Sequence, residues 1–254
     1  MTEDDSERYR APALDKGLDI LELLARTDGG LTQVEIAKAL GKSPNEFYRM
    51  LDRLVRRGYV QRQEGDRFFL TLKMFGLAHF HQPVRRLVSF AAPLMRDFAN
   101  RAEQACHLAV YDRGSVVVIA QQDSSTYWAL SIRVSAQMSL FNTGSGHVLL
   151  AFQNDTQREL MIAEQLRSGE TALPKGLRER LTQVKADGYE SMNSLQTAGV
   201  RNISAPILTL DGTALAVVTC PYIGSLNDAA PKEAECLALI QETAKAISQV
   251  VAGR

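Results

Sequence analysis

The chain has 254 residues, 45% hydrophobic and 23% charged, and its 29 basic side chains balance 29 acidic ones. That length holds one large domain or two smaller ones with separate cores, and the composition is that of a soluble globular protein. Whole-chain charge says nothing about partners, so local charge has to. Cys106, Cys220 and Cys236 lie far apart with no CxxC pair, so reduced, buried thiols are expected rather than a disulfide framework or zinc knuckle. Residues 1–9 read as an acidic flexible tail; MTEDDSERYR has no apolar run and is not a signal peptide. No stretch approaches the ~20 apolar residues of a membrane span, and a cytoplasmic protein is expected.

The first predicted helix is ALDKGLDILELLAR, with Leu14, Leu18, Leu21 and Ala25 on one face and Ile20 and Leu24 beside it, ended by Asp28-Gly29-Gly30. The second starts at Thr32, where Glu35 completes a capping box and Leu31 can staple to Ile36. Ile36, Ala37 and Leu40 point inward, and Gly41 stops it within two turns. Ser43 caps the third, with Pro44 in the first helical position and Glu46 closing a second capping box. Its stripe Phe47, Met50, Leu51, Leu54, Val55 faces a core; Asn45, Tyr48, Arg49, Asp52, Arg53, Arg56 and Arg57 lie opposite. YVQRQEGDRFFLTL then reads as a hairpin turning at Glu64-Gly65-Asp66.

Three helices with a tight turn between the second and third, then a small hairpin, make a winged helix-turn-helix over residues 10–72. The third helix would enter the major groove and the hairpin tip would follow the phosphates. From Lys38 to Lys73 nine basic residues (38, 42, 49, 53, 56, 57, 62, 67, 73) stand against four acidic ones (46, 52, 64, 66). A charged helix face is usually only a solvated face; the order of elements is what lifts this one to a DNA contact. Lys42, Ser43, Asn45, Tyr48, Arg49, Arg53 and, at the hairpin tip, Arg67 are the candidate DNA-binding residues. Ser43 serves equally as a cap. Asn45 is the best base reader, since an amide pairs bidentately with adenine.

Residues 73–90 are expected to form a linker helix, and residues 91–254 an α/β domain. QPVRRLVSFAAPLMRDFANRAEQA is helical, with a kink or break at Pro93. CHLAVYD and SVVVIAQQ flank a turn at Arg113-Gly114, and ALSIRVS is a further strand. GSGHVLLAF opens a helix, two more follow at 156–167 and 176–187, and NISAPILTL and TALAVVTCPY bracket a turn at Asp211-Gly212 before a last helix over 231–252. Helices on a largely antiparallel sheet leave room for a pocket. Asn142, Gly144, Ser145 and Gly146 are placed at a helix start, where backbone N–H groups attract an anion; the alternative is that the glycines only permit close packing.

The segments ALDKGLDILELLA, GLTQVEIAKALGKSPNEFYRMLDRLVRRGYV and GDRFFLTLKMFGLA resemble the DNA-binding half of IclR-type bacterial transcription regulators. The resemblance continues through AAPLMRDFANRAEQACHLAVYDRGSVVVIA, FNTGSGHVLLAF, DGYE and GVRNISAPILTLDGTALAVVT. It implies an α+β protein, a winged helix-turn-helix joined by a linker helix to a GAF-like effector-binding and oligomerisation domain. It further implies a homodimer or dimer of dimers on a palindromic double-stranded DNA operator, with a small organic acid as effector. Many family members carry Lys-Ser-Thr where this chain has KSPNEF, so no operator sequence carries over. Asn202 and Cys220 fall where family members line the effector pocket; Ser194 and Gln196, and then Trp128 and Arg133, are weaker candidates.

Catalysis is not expected. NTGSGH lacks a GxSxG elbow, neighbouring Cys106 and His107 point to opposite faces of a strand, and the four histidines, two of them (His79 and His81) in the linker, have no metal spacing. No cofactor is implied. The rival readings are a small-molecule enzyme with a fused nucleic-acid-binding domain and an architectural DNA binder that senses nothing.

Overall fold

A computed structural model describes residues 11–80, 82–127, 129–168, 172–227 and 229–252. The acidic tail, His81 and Trp128 lie outside the described residues. The chain divides into two compact units, Met1–Gln82 and Pro83–Arg254.

The first unit runs α1 (Pro12–Ala25), β1 (Leu31–Thr32), α2 (Gln33–Ala39), α3 (Pro44–Arg56), β2 (Val60–Gln63), a 3-10 turn at Glu64–Asp66, β3 (Arg67–Leu70) and α4 (Lys73–His79). Both capping boxes form. Glu35 Oε2 accepts from the Thr32 N–H at 2.8 Å, and Glu46 Oε1 accepts from the Ser43 N–H at 3.2 Å. Ile20, Leu24, Ile36, Ala37, Phe47, Leu51, Val60 and Phe68 make one buried core, where each large side chain contributes about 1.5–3 kcal/mol of apolar burial. The buried face of α1 is therefore Ile20 and Leu24. Leu14 and Leu18, expected on the inner face, are exposed: the helix is buried on the adjacent side that carries Ile20 and Leu24. β1 is a strand the sequence did not announce: Leu31 and Thr32 pair with Phe68 and Arg67, giving the wing the order β1-β3-β2.

The second unit opens on α5 (Gln82–Ala102), which runs through Pro93 without a break at the cost of one ladder hydrogen bond. Then come β4 (Cys106–Asp112), β5 (Ser115–Gln122), β6 (Gln137–Ser139), α6 (Gly144–Ala151), α7 (Asp155–Arg167), α8 (Leu177–Asp187), β7 (Glu190–Asn193), β8 (Val200–Leu208), β9 (Ala214–Ile223) and α9 (Glu233–Ala252). The six strands form one antiparallel sheet, β6-β5-β4-β9-β8-β7. The expected strand at ALSIRVS is absent: Ser131 donates to the Asp123 carboxylate and the Ile132 N–H to Gln121 Oε1, so side chains take the place of a ladder. The strand lies just downstream, at Gln137–Ser139.

Helices cover both faces of this sheet. On one, α5 and α9 pack Leu87, Met95, Phe98, Cys236, Ile240 and Ile247 onto Cys106, Leu108, Ile203, Val218 and Cys220. On the other, α6, α7 and α8 bury Leu149, Met161, Leu181 and Val184 against Ala109, Val118 and Val217. Strand alternation thus assigns each residue of β4, β8 and β9 to one of two unlike layers.

Candidate functional site

In the first unit, a short turn fixes α3 against α2. Gly41 takes φ +64°, the Lys42 N–H closes on the Ala37 carbonyl at 2.9 Å, and Gln33 Nε2 donates to the Pro44 carbonyl at 2.8 Å. Lys16 of α1 reaches Glu46 at 2.7 Å, and that hydrogen bond, with those from Ser43, holds the Glu46 carboxyl down at about 2. With its apolar side in the core, α3 presents Asn45, Tyr48, Arg49 and Arg53 to solvent, Lys42 and Ser43 just ahead of them. Ser43 is engaged as a cap, its hydroxyl donating to Glu46 at 3.1 Å.

The nine cations are not equivalent. Arg56 is paired with Asp52 at 2.8 Å and Arg62 with Asp66 at 2.6 Å, while Lys73 donates to the Arg57 carbonyl at 2.5 Å beneath the Tyr59 ring. Arg67 is not at the hairpin tip. It opens β3 and donates to the carbonyls of Gly29 and Gly30 at 3.2 and 3.0 Å, with Glu35 at 3.4 Å. The tip is Glu64-Gly65-Asp66, two carboxylates and no cation. Arg67 therefore braces the wing against the α1–β1 loop. The side chains of Lys38, Lys42, Arg49, Arg53 and Arg57 have no hydrogen bond or ion pair among the described residues, which leaves unpaired positive charge on the end of α2, the turn after it and α3 with its C-cap.

In the second unit, an open cleft of about 600 Å³ lies beside the start of α6. Asn142, Gly144 and Ser145 line it from the α6 turn, Asn202 from β8, Ser194 and Gln196 from the β7–β8 loop, and Arg133 from the segment before β6. Thr143 caps the helix: its hydroxyl accepts from the Gly146 N–H at 3.0 Å and donates to the Ser139 carbonyl at 2.7 Å. The N–H groups of Gly144 and Ser145 make no hydrogen bond among the described residues, as the first donors of a helix do not. Arg133 is the one Arg or Lys among the described lining residues, and no Asp or Glu stands beside it. Such a lining favours an anion.

Two expected residues lie elsewhere. Gly146 does not line the cleft; a Cβ there would overlap the Leu140 carbonyl, so this glycine serves close packing. Cys220 points into the α5–α9 layer with Cys106 and Cys236, and burial pushes its thiol well up. Its neighbours Thr219 and Pro221 face the cleft instead, because one step along a strand changes sides.

Beneath α6 runs a polar row that the sequence reading missed. His107, Thr219, Ser204 and Glu190 are register partners across β4, β9, β8 and β7. All four are buried. Thr219 donates to Ser204 at 2.8 Å, so the Ser145 hydroxyl, 2.9 Å away, donates to Thr219. Burial pushes the Glu190 carboxyl up, but hydrogen bonds from His147 and Arg180 outweigh it and hold the group below the usual range. His147 bridges Glu190 at 2.7 Å and the Phe141 carbonyl at 2.9 Å, tying α6 to the loop before it. His107 differs from the rest: it is 1% exposed, lines the cleft, and neither ring nitrogen has a hydrogen-bond partner among the described residues. The available signal was a lone polar residue inside an apolar strand run, as with Thr219 in ALAVVTCPYI. Among the described residues no group of three His, Cys, Asp or Glu stands together to hold a metal, and no helix is long and apolar enough to cross a membrane.

Residues 83–249 match the family model described as the bacterial transcriptional regulator IclR C-terminal domain, and residues 13–64 match the IclR helix-turn-helix domain. The chain is 30% identical to the HTH-type transcriptional regulator BhcR of Paracoccus denitrificans (82% of this chain, 76% of that protein). It is 28% identical to the HTH-type transcriptional regulator KdgR of Escherichia coli (84% and 83%). Among solved structures, an IclR homologue complexed with 4-hydroxybenzoate from Microbacterium hydrocarbonoxydans superposes with TM-score 0.77 at 20% identity, covering 95% of this chain and all (100%) of that one. The Thermotoga maritima IclR gives 0.72 at 22% identity, covering 94% and 98%.

Proposed function

Because the chain belongs to the IclR family of bacterial transcriptional regulators, we propose that it is a cytoplasmic homo-oligomer whose operator affinity is set by a small carboxylate bound beside α6. DNA binding by the first unit and ligand binding by the second come with the family.

The observation that carries the reading is the cleft itself. Two helix-start N–H groups and one guanidinium face a space that no described carboxylate lines. An amine would find no counter-charge there, whereas a carboxylate gains charge-assisted hydrogen bonds. The BhcR and KdgR relatives are regulators and not enzymes by name, and the 4-hydroxybenzoate held by the Microbacterium protein is a carboxylate of suitable size.

For the first unit, the unpaired cations support α3 as the groove-entering helix, with Asn45, Tyr48 and Arg49 nearest the bases and Lys42, Arg53 and Arg57 on phosphates. Ser43 acts as the cap that orients them, and Arg67 holds the wing. Leu72, Met74, Leu77 and Phe80 on and around α4 are exposed, apolar surface that a second copy would cover in a two-fold dimer on a palindromic operator. An effector shifts DNA affinity only by binding one arrangement of the two DNA-binding units better than another.

A thermal-shift screen of small carboxylates against the purified chain tests the ligand class. Stabilisation by acids, abolished in Arg133→Gln, is expected. Stabilisation by amines and not by acids contradicts the reading.

A further inference from the structure

We propose that the acid taken by this cleft carries a hydroxyl several bonds from its carboxylate, and that His107 is the side chain that selects for that hydroxyl. The proposal rests on the cleft being the effector site and names what the effector must carry.

His107 sits at the centre of the sheet, between Gln121 of β5 and Thr219 of β9. Every other polar side chain in its buried row is satisfied within the protein: Thr219 by Ser145 and Ser204, and Glu190 by His147 and Arg180. The neighbouring Gln121 is occupied by Ile132 and Asp123. Both nitrogens of His107 are buried and unpaired among the described residues, although the ring borders the cleft. A buried polar group without a partner costs about 1–3 kcal/mol, so its retention here calls for a partner that arrives with the ligand.

The chemistry of that partner follows from the ring. Burial pushes its pKa down to about 4, so at neutral pH it offers one N–H and one lone pair. A hydroxyl meets either nitrogen, since it donates and accepts; a second carboxylate only accepts and a methyl does neither. Distance selects its place on the ligand. Ser145 at the helix start is 2.9 Å from Thr219, and Thr219 and His107 are register partners on adjacent strands, spaced by about 4.8 Å. A carboxylate on the helix start thus leaves a substituent roughly 5–8 Å away at the imidazole.

The test is calorimetric titration of the full chain with matched acids: butanoate against 3- and 4-hydroxybutanoate, and benzoate against 3- and 4-hydroxybenzoate. At least one hydroxylated acid should bind about tenfold or more tightly than its parent, a single well-made hydrogen bond's worth. That preference should collapse in His107→Leu and survive in part in His107→Gln, which keeps a donor and an acceptor. In the unsubstituted protein, the His107 ring 15N signals should move with the hydroxylated acid and stay with its parent, a readout that needs no variant to fold. Acids that bind through Arg133 with a hydroxyl preference unchanged in His107→Leu, or with none, overturn the proposal and leave the cleft reading intact. Acids that bind without regard to Arg133→Gln, or no binding by any of the panel, overturn both.

Discussion

The Ser145 hydroxyl lies 2.9 Å from that of Thr219, joining the first turn of α6 to the middle strand of the sheet. The Thr219 hydroxyl in turn donates a hydrogen bond to Ser204 on the next strand. Removing the middle hydroxyl strands two buried ones, so Thr219→Val should destabilise the chain by about 1–3 kcal/mol despite being apolar and of similar size. Denaturant unfolding measures it; a neutral result would remove the row from the account of how the cleft is held.

Gly146 gives a prediction whose sign is diagnostic. Helix propensity alone says that Gly146→Ala gains about 1 kcal/mol. In the fold the added methyl overlaps the Leu140 backbone, and overpacking of that kind costs about 1–3 kcal/mol. Thermal unfolding should therefore show a fall in midpoint. A rise would mean that the α6 turn is looser than described.

His107 makes stability depend on pH in a definite direction. An unfolded histidine titrates near 6.5, whereas this one is held down to about 4 by burial. Between those values the unfolded chain binds a proton that the folded chain does not, so stability falls as pH drops from about 6.5 to about 4. The loss amounts to about 3 kcal/mol across the window. The Glu190 carboxyl, depressed in the fold, adds its own loss as pH falls below its ordinary value. Comparing the chain with His107→Leu isolates the first effect: the chain should lose stability relative to the variant as pH drops below 6.5, and a pH-independent difference would contradict the burial argument.

On the DNA side, Arg49→Ala and Arg53→Ala should each lower the slope of log affinity against log salt by about 1, as loss of one phosphate contact does. Arg56→Ala should do less, since Asp52 already pairs that side chain. Arg67→Ala should act through stability, because its guanidinium holds the Gly29 and Gly30 carbonyls. Equal salt slopes for all four would show that the face is misassigned.

Much of the first unit was legible because its signals are local. Thr32 with Glu35, Ser43 with Glu46, and Glu64-Gly65-Asp66 announce caps and a turn within a few residues of themselves, and all three form. β1 was hidden because two residues have no period. The inner face of α1 was misjudged because Leu14, Leu18, Leu21 and Ala25 keep a helical spacing of their own, whereas the buried side is the adjacent one with Ile20 and Leu24. In the second unit the helix start at 144 and the Asp211-Gly212 turn were readable. The sides of β8 and β9 were not: both faces of the sheet are covered, so most of their residues are buried and no polar-apolar alternation marks the layers. Cys220 was expected in the cleft from the family resemblance, and no alternation in the strand was there to move that expectation to Thr219. His107 was read only against catalysis, since its lack of a partner among the described residues depends on strands far apart in sequence.

The most direct test of the account is fluorescence anisotropy on a duplex from the chain's own upstream promoter and on a random duplex, at about 0.15 M salt, with and without an acid that stabilises the protein. The account predicts tighter binding to the promoter, a preference lost in Asn45→Ala with Arg49→Ala, and a shift in promoter affinity when the acid is added. Equal affinity for the two duplexes, or promoter affinity indifferent to every acid that binds, would contradict it.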